Sequence, residues 1–553
     1  MEKISIYQVL PRLYSNPAGK NVQNGTLSQN GCGKMNHFTD RVLRRIKDFG
    51  YSHIWYTGLL EHATQTDYSK HGIAPDHADV VKGKAGSPYA IKDYYDIDPD
   101  LAEDVPHRMV EFEKLLARTH AAGLKFVMDF VPNHVARQYH SDNRPAGTHD
   151  LGEDDDSTQA FSTSNNFYYI TDEPLHLDKI VAHSTYAEQP AKATGNDRFD
   201  AWPDRNDWYE TVKLNYGIDY INGGARQFGP TPNTWHKMTN ILLYWAGKGV
   251  DAFRCDMAEM VPVEFWNYAT RRVKEQFPHV CFIAEVYNPS EYRNYIHNGG
   301  FDYLYNKVGL YDTLRAIVCG HASASDITHR WQEVDDIQDH MLNFLENHDE
   351  QRIASNYFCT DPIKALPALL VSALMNKNAI MIYAGQELGE PGMDSEGFSG
   401  CDGRTTIFDY WHVEKLSKLY KGKRYFTKAE RELYDYYEKV ITLCATNKAI
   451  SNGNFFDLMY ANYDHPESFN AHRHYAFLRK QGSETLLVVI NFDGEPCEVS
   501  VRIPQHAFDH LGLPKGHKTG KDLLTGKTQT LLFYPEGLCP IALPGYGGVV
   551  IKL

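Results

Sequence analysis

The chain of 553 residues is too long for one ordinary domain and suits a large barrel with additions. Hydrophobic residues make up 42%, which supports a large core and excludes global disorder. Net charge is -15, from 56 basic and 71 acidic residues, which argues against nucleic acid or an anionic membrane as partner and for a neutral or cationic one.

Residues 4–10 alternate well enough for a first strand. No charged-then-apolar leader precedes it, and no stretch approaches the roughly 20 apolar residues of a membrane span, so a cytoplasmic chain without a membrane partner is expected. Residues 16–36, rich in Gly and Asn, read as a loop. Thr39-Asp40 opens a helix with Val42, Leu43, Ile46 and Phe49 on one face and Gly50 as its stop. Residues 52–60 form a second strand, followed by a long polar loop that ends in SPYAIKDYYDIDPDLA. Residues 106–122 make an amphipathic helix and 124–130 a third strand, an alternation that predicts a parallel α/β architecture.

After Asn133-His134 the pattern breaks. A structureless loop as long as 136–232 is uncommon inside a compact domain, so this stretch reads as an inserted small domain. Regularity resumes with helix 234–248, strand 249–255, helix 263–277 and strand 280–287. Strand 301–307, helix 308–319, strand 341–347, helix 361–375 and strand 379–387 follow, and helix 428–447 closes the set. Eight strands alternating with helices predict a TIM (β/α)8 barrel, whose functional residues sit at the C-terminal strand ends. From about 452 the texture changes to short β segments between Gly, Pro, Asp and Asn, which read as an antiparallel β-sandwich. The expected organisation is a barrel at 1–135 and 233–450, a loop-rich insertion after strand 3 at 136–232, and a C-terminal β-sandwich at 451–553. Nine cysteines, without close C-x-x-C pairs, suggest neither a disulfide framework nor a zinc site.

Four apolar runs stop at an acid: Asp129 in VMDFVPNH, Asp256 in GVDAFRCDMAEM, Glu285 in CFIAEVY and Asp349 in MLNFLENHDE. Arg254 lies two residues before Asp256, so in a strand the two share a face. A structural ion pair is one reading of that spacing. The other is a catalytic site, because carboxylates converging on one barrel mouth are unfavourable without a task or a counter-charge. Paired carboxylates can run retaining glycoside hydrolysis: one attacks the anomeric carbon, and the other protonates the leaving oxygen and then activates water. Arg254 would keep Asp256 ionised for attack, and Glu285 follows the apolar Phe282-Ile283-Ala284, a setting that suits a general acid. His134 and His348, beside strand ends, can hydrogen-bond sugar hydroxyls.

DFVPNH, GVDAFRCD, FIAEV and FLENHD, in this order and spacing, resemble the four conserved regions of glycoside hydrolase family 13, the α-amylase family. The resemblance covers nearly the whole chain. It implies Asp256 as nucleophile, Glu285 as acid/base and Asp349 as the third acid, with Arg254 positioning the nucleophile. It implies substrate binding by Tyr89, His134, His348 and Asn215, the last matching in KLNYG the asparagine of the family's short motif near the end of the insertion, and a supporting role for Asp129. There are departures. Met257-Ala258-Glu259-Met260 stands where α-amylases carry Lys-His, which removes one expected calcium ligand. Asn133 remains as a candidate ligand, but the first loop lacks the alternating Asp of the family's other calcium site. No cofactor is therefore expected and a structural calcium is not favoured. The expected partner is an α-glucan or maltooligosaccharide, cleaved at α-1,4 bonds; the oligomeric state is left open. Alternatives are a transglycosylase using the same intermediate, an α-1,6-glucosidase, and a non-catalytic glucan-binding or structural barrel. The last would be expected to lose catalytic acids, all of which are present here.

Overall fold

A computed structural model describes residues 3–464 and 467–553. Eight parallel strands close into a barrel in chain order: β1 (Ser5–Val9), β2 (His53–Tyr56), β3 (Lys125–Phe130), β4 (Ala252–Cys255), β5 (Cys281–Ala284), β6 (Tyr303–Tyr305), β7 (Met341–Phe344) and β8 (Ala379–Tyr383). The last pairs back onto the first, with Ser5 opposite Ile380. Both faces of each strand are buried, which explains why these runs are nearly continuous apolar stretches. Inward residues such as Ile6, Trp55, Val127, Ala252, Ile283 and Leu342 make a core inside the barrel. Outward ones such as Tyr56, Phe126, Phe253 and Phe282 pack in the main core with the surrounding helices. Period-two alternation then carries this inward face to the C-terminal strand ends. Asp129 follows Val127, Arg254 and Asp256 follow Ala252, and Glu285 follows Ile283.

The helices expected after strands 1, 2 and 4 are present at Asp40–Phe49, Arg108–Ala121 and Val263–Gln276. Thr39 caps the first by accepting from the Val42 N–H, and Gly50 ends it with φ at 115°. The strands are shorter than expected. β2 stops at Tyr56, and Leu60–His62 leaves the barrel to pair antiparallel with Ile91–Ile97, which the sequence reading placed in a polar loop. That segment is wholly buried despite its acids. Asp93 accepts from the Tyr95 N–H, Asp96 from the Ile97 N–H, and Arg108 pairs with Asp96. Helix 308–319 divides into a π-helical turn, Lys307–Tyr311, and an α-helix, Asp312–Val318, with Asn306 accepting from the Leu310 N–H. Helices Asp326–Glu333, Glu414–Lys421 and Gln505–Leu511 were not anticipated.

Between β3 and helix Asn233–Lys248 the chain forms no helix. Short antiparallel pairs order it instead, including His134–Ala136 with Thr211–Lys213 and Tyr169–Ile170 with Ala191–Lys192. Helix Lys428–Thr446, begun by a Thr427–Glu430 capping box, packs on the barrel. The C-terminal region holds a six-stranded antiparallel sheet and a separate pair, Cys497–Ile503 with Gly537–Leu543, which share one core.

Gly50 marks where the closing helix meets the first barrel helix. A Cβ there would lie 2.9 Å from the Ile441 carbonyl oxygen. Gly50→Ala adds this contact to the roughly 1–2 kcal/mol cost of a left-handed L-residue. We expect a lowered thermal midpoint; an unchanged one would mean the two helices are not held at this spacing.

Candidate active site

One cation meets the acids at the strand ends. Arg254 lies opposite Asp129 in the β4–β3 ladder and is fully buried. Its Nη1 donates to Asp256 Oδ1 at 2.7 Å, its Nη2 to Glu285 Oε2 at 2.8 Å, and its Nε to the Tyr305 hydroxyl at 3.1 Å. Asp129 Oδ1 is 3.7 Å from Nη1 and Asp349 Oδ2 is 4.0 Å from Nη2. The rings of Trp55, Tyr89 and Tyr305 surround the guanidinium at 5.2, 5.4 and 5.5 Å.

A single positive charge cannot neutralise four carboxylates packed this closely, so the cluster retains protons. Burial, followed by the charges of Glu285 and Asp349, pushes Asp256 well above the usual carboxylate range, while Arg254 opposes the shift. Asp349 is pushed up to about 7, first by the depth of the cleft and then by Glu285, even though 41% of its side chain is open. Asp129 is raised to about 6 by burial, against the pull of Arg254 and of the Trp55 and Gly58 N–H donors at 3.0 and 3.3 Å.

Local structure aims each group. Asn347 accepts from the N–H groups of Asp349 and Glu350, a side-chain turn that presents Asp349 beyond β7. Met257 adopts a left-handed conformation at φ 42° and donates its N–H to Glu285 Oε2 at 2.9 Å. The Tyr287 hydroxyl donates to Glu285 Oε1. His348 Nδ1 faces the Gln8 amide nitrogen at 2.8 Å, which places the ring proton on Nε2, near the Tyr89 hydroxyl at 2.6 Å and Asp349 at 3.1 Å. Burial, then Arg254, holds His348 well below the usual histidine range, so it is neutral. Burial, then Lys213 and Lys82, takes His134 down to about 3, and its ring sits 5.1 Å from that of Trp208.

Asp256, Glu285, Asp349, Tyr89 and His134 line one cavity of about 380 Å³, together with Lys82, Trp208, Glu210, Met257 and Tyr287. Arg254 and Asp129 lie beneath it. A neighbouring cavity of about 320 Å³ shares Asp349 and Phe408 and adds His348, Arg205, Phe398, Asp402 and Arg404, which brings the loop after β8 into the cleft. A larger cavity, about 640 Å³, lies elsewhere at Trp331, Phe455 and His506 and contains none of these acids.

Two expected site residues are placed otherwise. Asn215 does not line the cavity. Its amide donates to the carbonyls of Ser162 and Asn165, and its Oδ1 accepts from the Gly217 N–H, so it holds the insertion's own loops together. Asn133 Oδ1 accepts from Lys213 Nζ, and its Nδ2 donates to the Gly195 carbonyl at 2.7 Å. Sequence reasoning missed Tyr287, although its spacing of two from Glu285 carries the same-face signal. Gln8, Trp208 and Lys82 gave no such signal, because only folding brings them to the acids.

Four acids thus converge on one arginine at the mouth of a (β/α)8 barrel. The family model for the alpha amylase catalytic domain matches residues 8–453, and the chain belongs to that family. It is similar to a cyclomaltodextrinase of Geobacillus thermopakistaniensis, at 22% identity over 85% of this chain and 66% of that protein. It is also similar to neopullulanase 2 of Thermoactinomyces vulgaris, at 22% over 84% and 65%. The chain thus spans just under two thirds of these relatives' length. The structure of a maltogenic alpha-amylase from Thermotoga neapolitana shares the fold, with a TM-score of 0.65 at 20% identity, covering 100% of this chain and 98% of that one.

The raised Asp129 gives a signed test. Between the unfolded value near 4 and the folded value of about 6, the folded state binds the extra proton, so ionisation of Asp129 lowers stability as pH rises through that window. Asp129→Asn should match wild type near pH 4 and gain thermal midpoint relative to it up to about pH 6, with no further change above. A midpoint difference independent of pH would mean that Asp129 is not buried against its charge.

Proposed function

We propose that this protein is a retaining glycoside hydrolase that cleaves α-1,4-glucosidic bonds of maltooligosaccharides or starch-like glucans. The observation that carries the reading is the fork of Arg254 on Asp256 and Glu285 in a cavity shared with Asp349. One guanidinium engaging both carboxyl groups favours the roughly 5–5.5 Å separation of a retaining pair over the roughly 6.5–9.5 Å of an inverting one. The rings of Tyr89, Trp208 and Tyr287 around the acids offer apolar faces to a neutral sugar. The printed activities of the relatives, cyclomaltodextrinase and neopullulanase, support an α-glucan as the substrate class.

In this mechanism Arg254 engages Asp256 through Oδ1, and Oδ2 attacks the anomeric carbon. Glu285, in its acid form, passes a proton to the leaving glycosidic oxygen as that bond breaks. Asp349 binds ring hydroxyls and favours the flattened, oxocarbenium-like sugar, with the Nε2–H of neutral His348 beside it. Glu285, now ionised, takes a proton from water, which attacks the glycosyl ester and returns Asp256 as a carboxylate.

Asp256→Asn should lower turnover of maltoheptaose by about 10³-fold or more, and Glu285→Gln by about 10²–10⁴-fold. A loss at Asp256 of less than about tenfold would remove it as nucleophile. Chromatography of the early products, beside pullulan and isomaltose, decides the reaction. Shorter maltooligosaccharides alone support the hydrolase, whereas products longer than the starting sugar would replace it with a transglycosylase.

A further inference from the structure

We infer that the ammonium of Lys213 is a built-in cation, seated where the family resemblance would put calcium, and that it positions the turn carrying the catalytic acid's partner groups. Lys213 ends the short strand Thr211–Lys213, whose antiparallel pairing sets it opposite His134, just past β3. Its side chain is only 2% exposed. Nζ reaches three oxygens: Asn133 Oδ1, Asp197 Oδ1 at 2.6 Å and the Met260 carbonyl at 3.4 Å. These come from three separate stretches, namely the end of β3, the middle of the insertion and the turn after β4. An amide oxygen, a carboxylate and a backbone carbonyl are the donor types of a hard divalent cation. Here the three N–H bonds of one ammonium meet all three. Asp197 is held in the left-handed conformation at φ 62° while its carboxylate meets the ammonium. The residues present do not fit calcium: the Asn133 carbonyl oxygen is taken, and the other side of its amide donates to Gly195 and faces His134 Nδ1.

The ammonium's third acceptor links it to the chemistry. Met260 closes the turn Ala258–Met260. At the start of that turn, Met257 donates its N–H to the Glu285 carboxylate and Ala258 donates to the Glu285 carbonyl at 3.1 Å. Lys213 also pairs, through its own strand, with His134, which lines the cavity. It touches no reacting atom and is a positioning residue: one charge fixes the insertion, the His134 corner and the Glu285 turn relative to one another.

Thermal unfolding and maltoheptaose turnover, each measured in EDTA and in millimolar calcium chloride, test this. Wild type should give the same midpoint and turnover in both. Lys213→Met, which keeps the length and removes the charge, should lower the midpoint and reduce turnover by about 10–100-fold, as small displacements of catalytic groups do. Calcium should not restore it, because the thioether fills the seat. Lys213→Ala empties the seat, and calcium should then raise its midpoint above that in EDTA. The inference is overturned if wild type loses midpoint in EDTA and regains it with calcium, if Lys213→Met equals wild type, or if the midpoint of Lys213→Ala ignores calcium. Should neither variant fold, the wild-type comparison decides alone. The midpoints do not depend on which reaction the enzyme performs, so failure here and failure of the hydrolase reading are distinguishable.

Discussion

The buried guanidinium of Arg254 and its ring of acids is the constraint on which the rest of the site turns. Neither side is stable alone: an unpaired charge at this depth is strongly unfavourable, and so are carboxylates packed this closely. The rings of Trp55, Tyr89 and Tyr305 keep water from the cation and so strengthen each of its contacts. Because Arg254 and Asp129 are ladder partners, their spacing is set by the barrel backbone. Asp256 and Glu285 are then held by the two arms of one planar fork, a geometry that lysine cannot supply.

The barrel places the acids, and the attached segments build the walls around them. Trp208 and Glu210 come from the insertion, Tyr89 from the stretch leading into the antiparallel strand Ile91–Ile97, and Phe408 from the loop after β8. Three excursions from three strand ends therefore meet over a floor made by the strands themselves. The strand ends are the rigid part of the cleft and the loops its variable rim, which is how TIM barrels separate scaffold from specificity.

Much of this was legible in the sequence, and for a reason. Parallel strands buried on both faces leave long apolar runs, so an acid at the end of one stands out, and period two fixes which neighbour shares its face. Asp129, Arg254, Asp256, Glu285 and Asp349 were all found that way. Illegible were the groups joined only by folding, such as Gln8 and His348, 340 positions apart. Local pattern misled at Ile91–Ile97, where acids satisfied by backbone N–H groups and Arg108 disguise a wholly buried strand as a loop. In KLNYG, Asn215 bonds within the insertion, while Lys213, two residues earlier, makes the contact with the barrel. Short helices such as Gln505–Leu511 carry too few turns for periodicity to register.

The insertion leaves the barrel at His134–Ala136 and returns at Thr211–Lys213, and these two strands are hydrogen-bonded to each other. Exit and entry are therefore one paired doorway, and the chain beyond it is a closed loop hung on two strands. Residues that wall the cavity, Trp208, Glu210 and Thr211, lie at the doorway, whereas the pair Tyr169–Ile170 with Ala191–Lys192 lies further along the loop. Lengthening or pruning the loop's outer part changes how far the insertion extends from the cleft without moving the acids at the strand ends, because extending a loop whose ends are already joined adds little entropy cost. Insertion in this loop can thus extend the protein's reach while the paired doorway and the cluster of acids stay as they are.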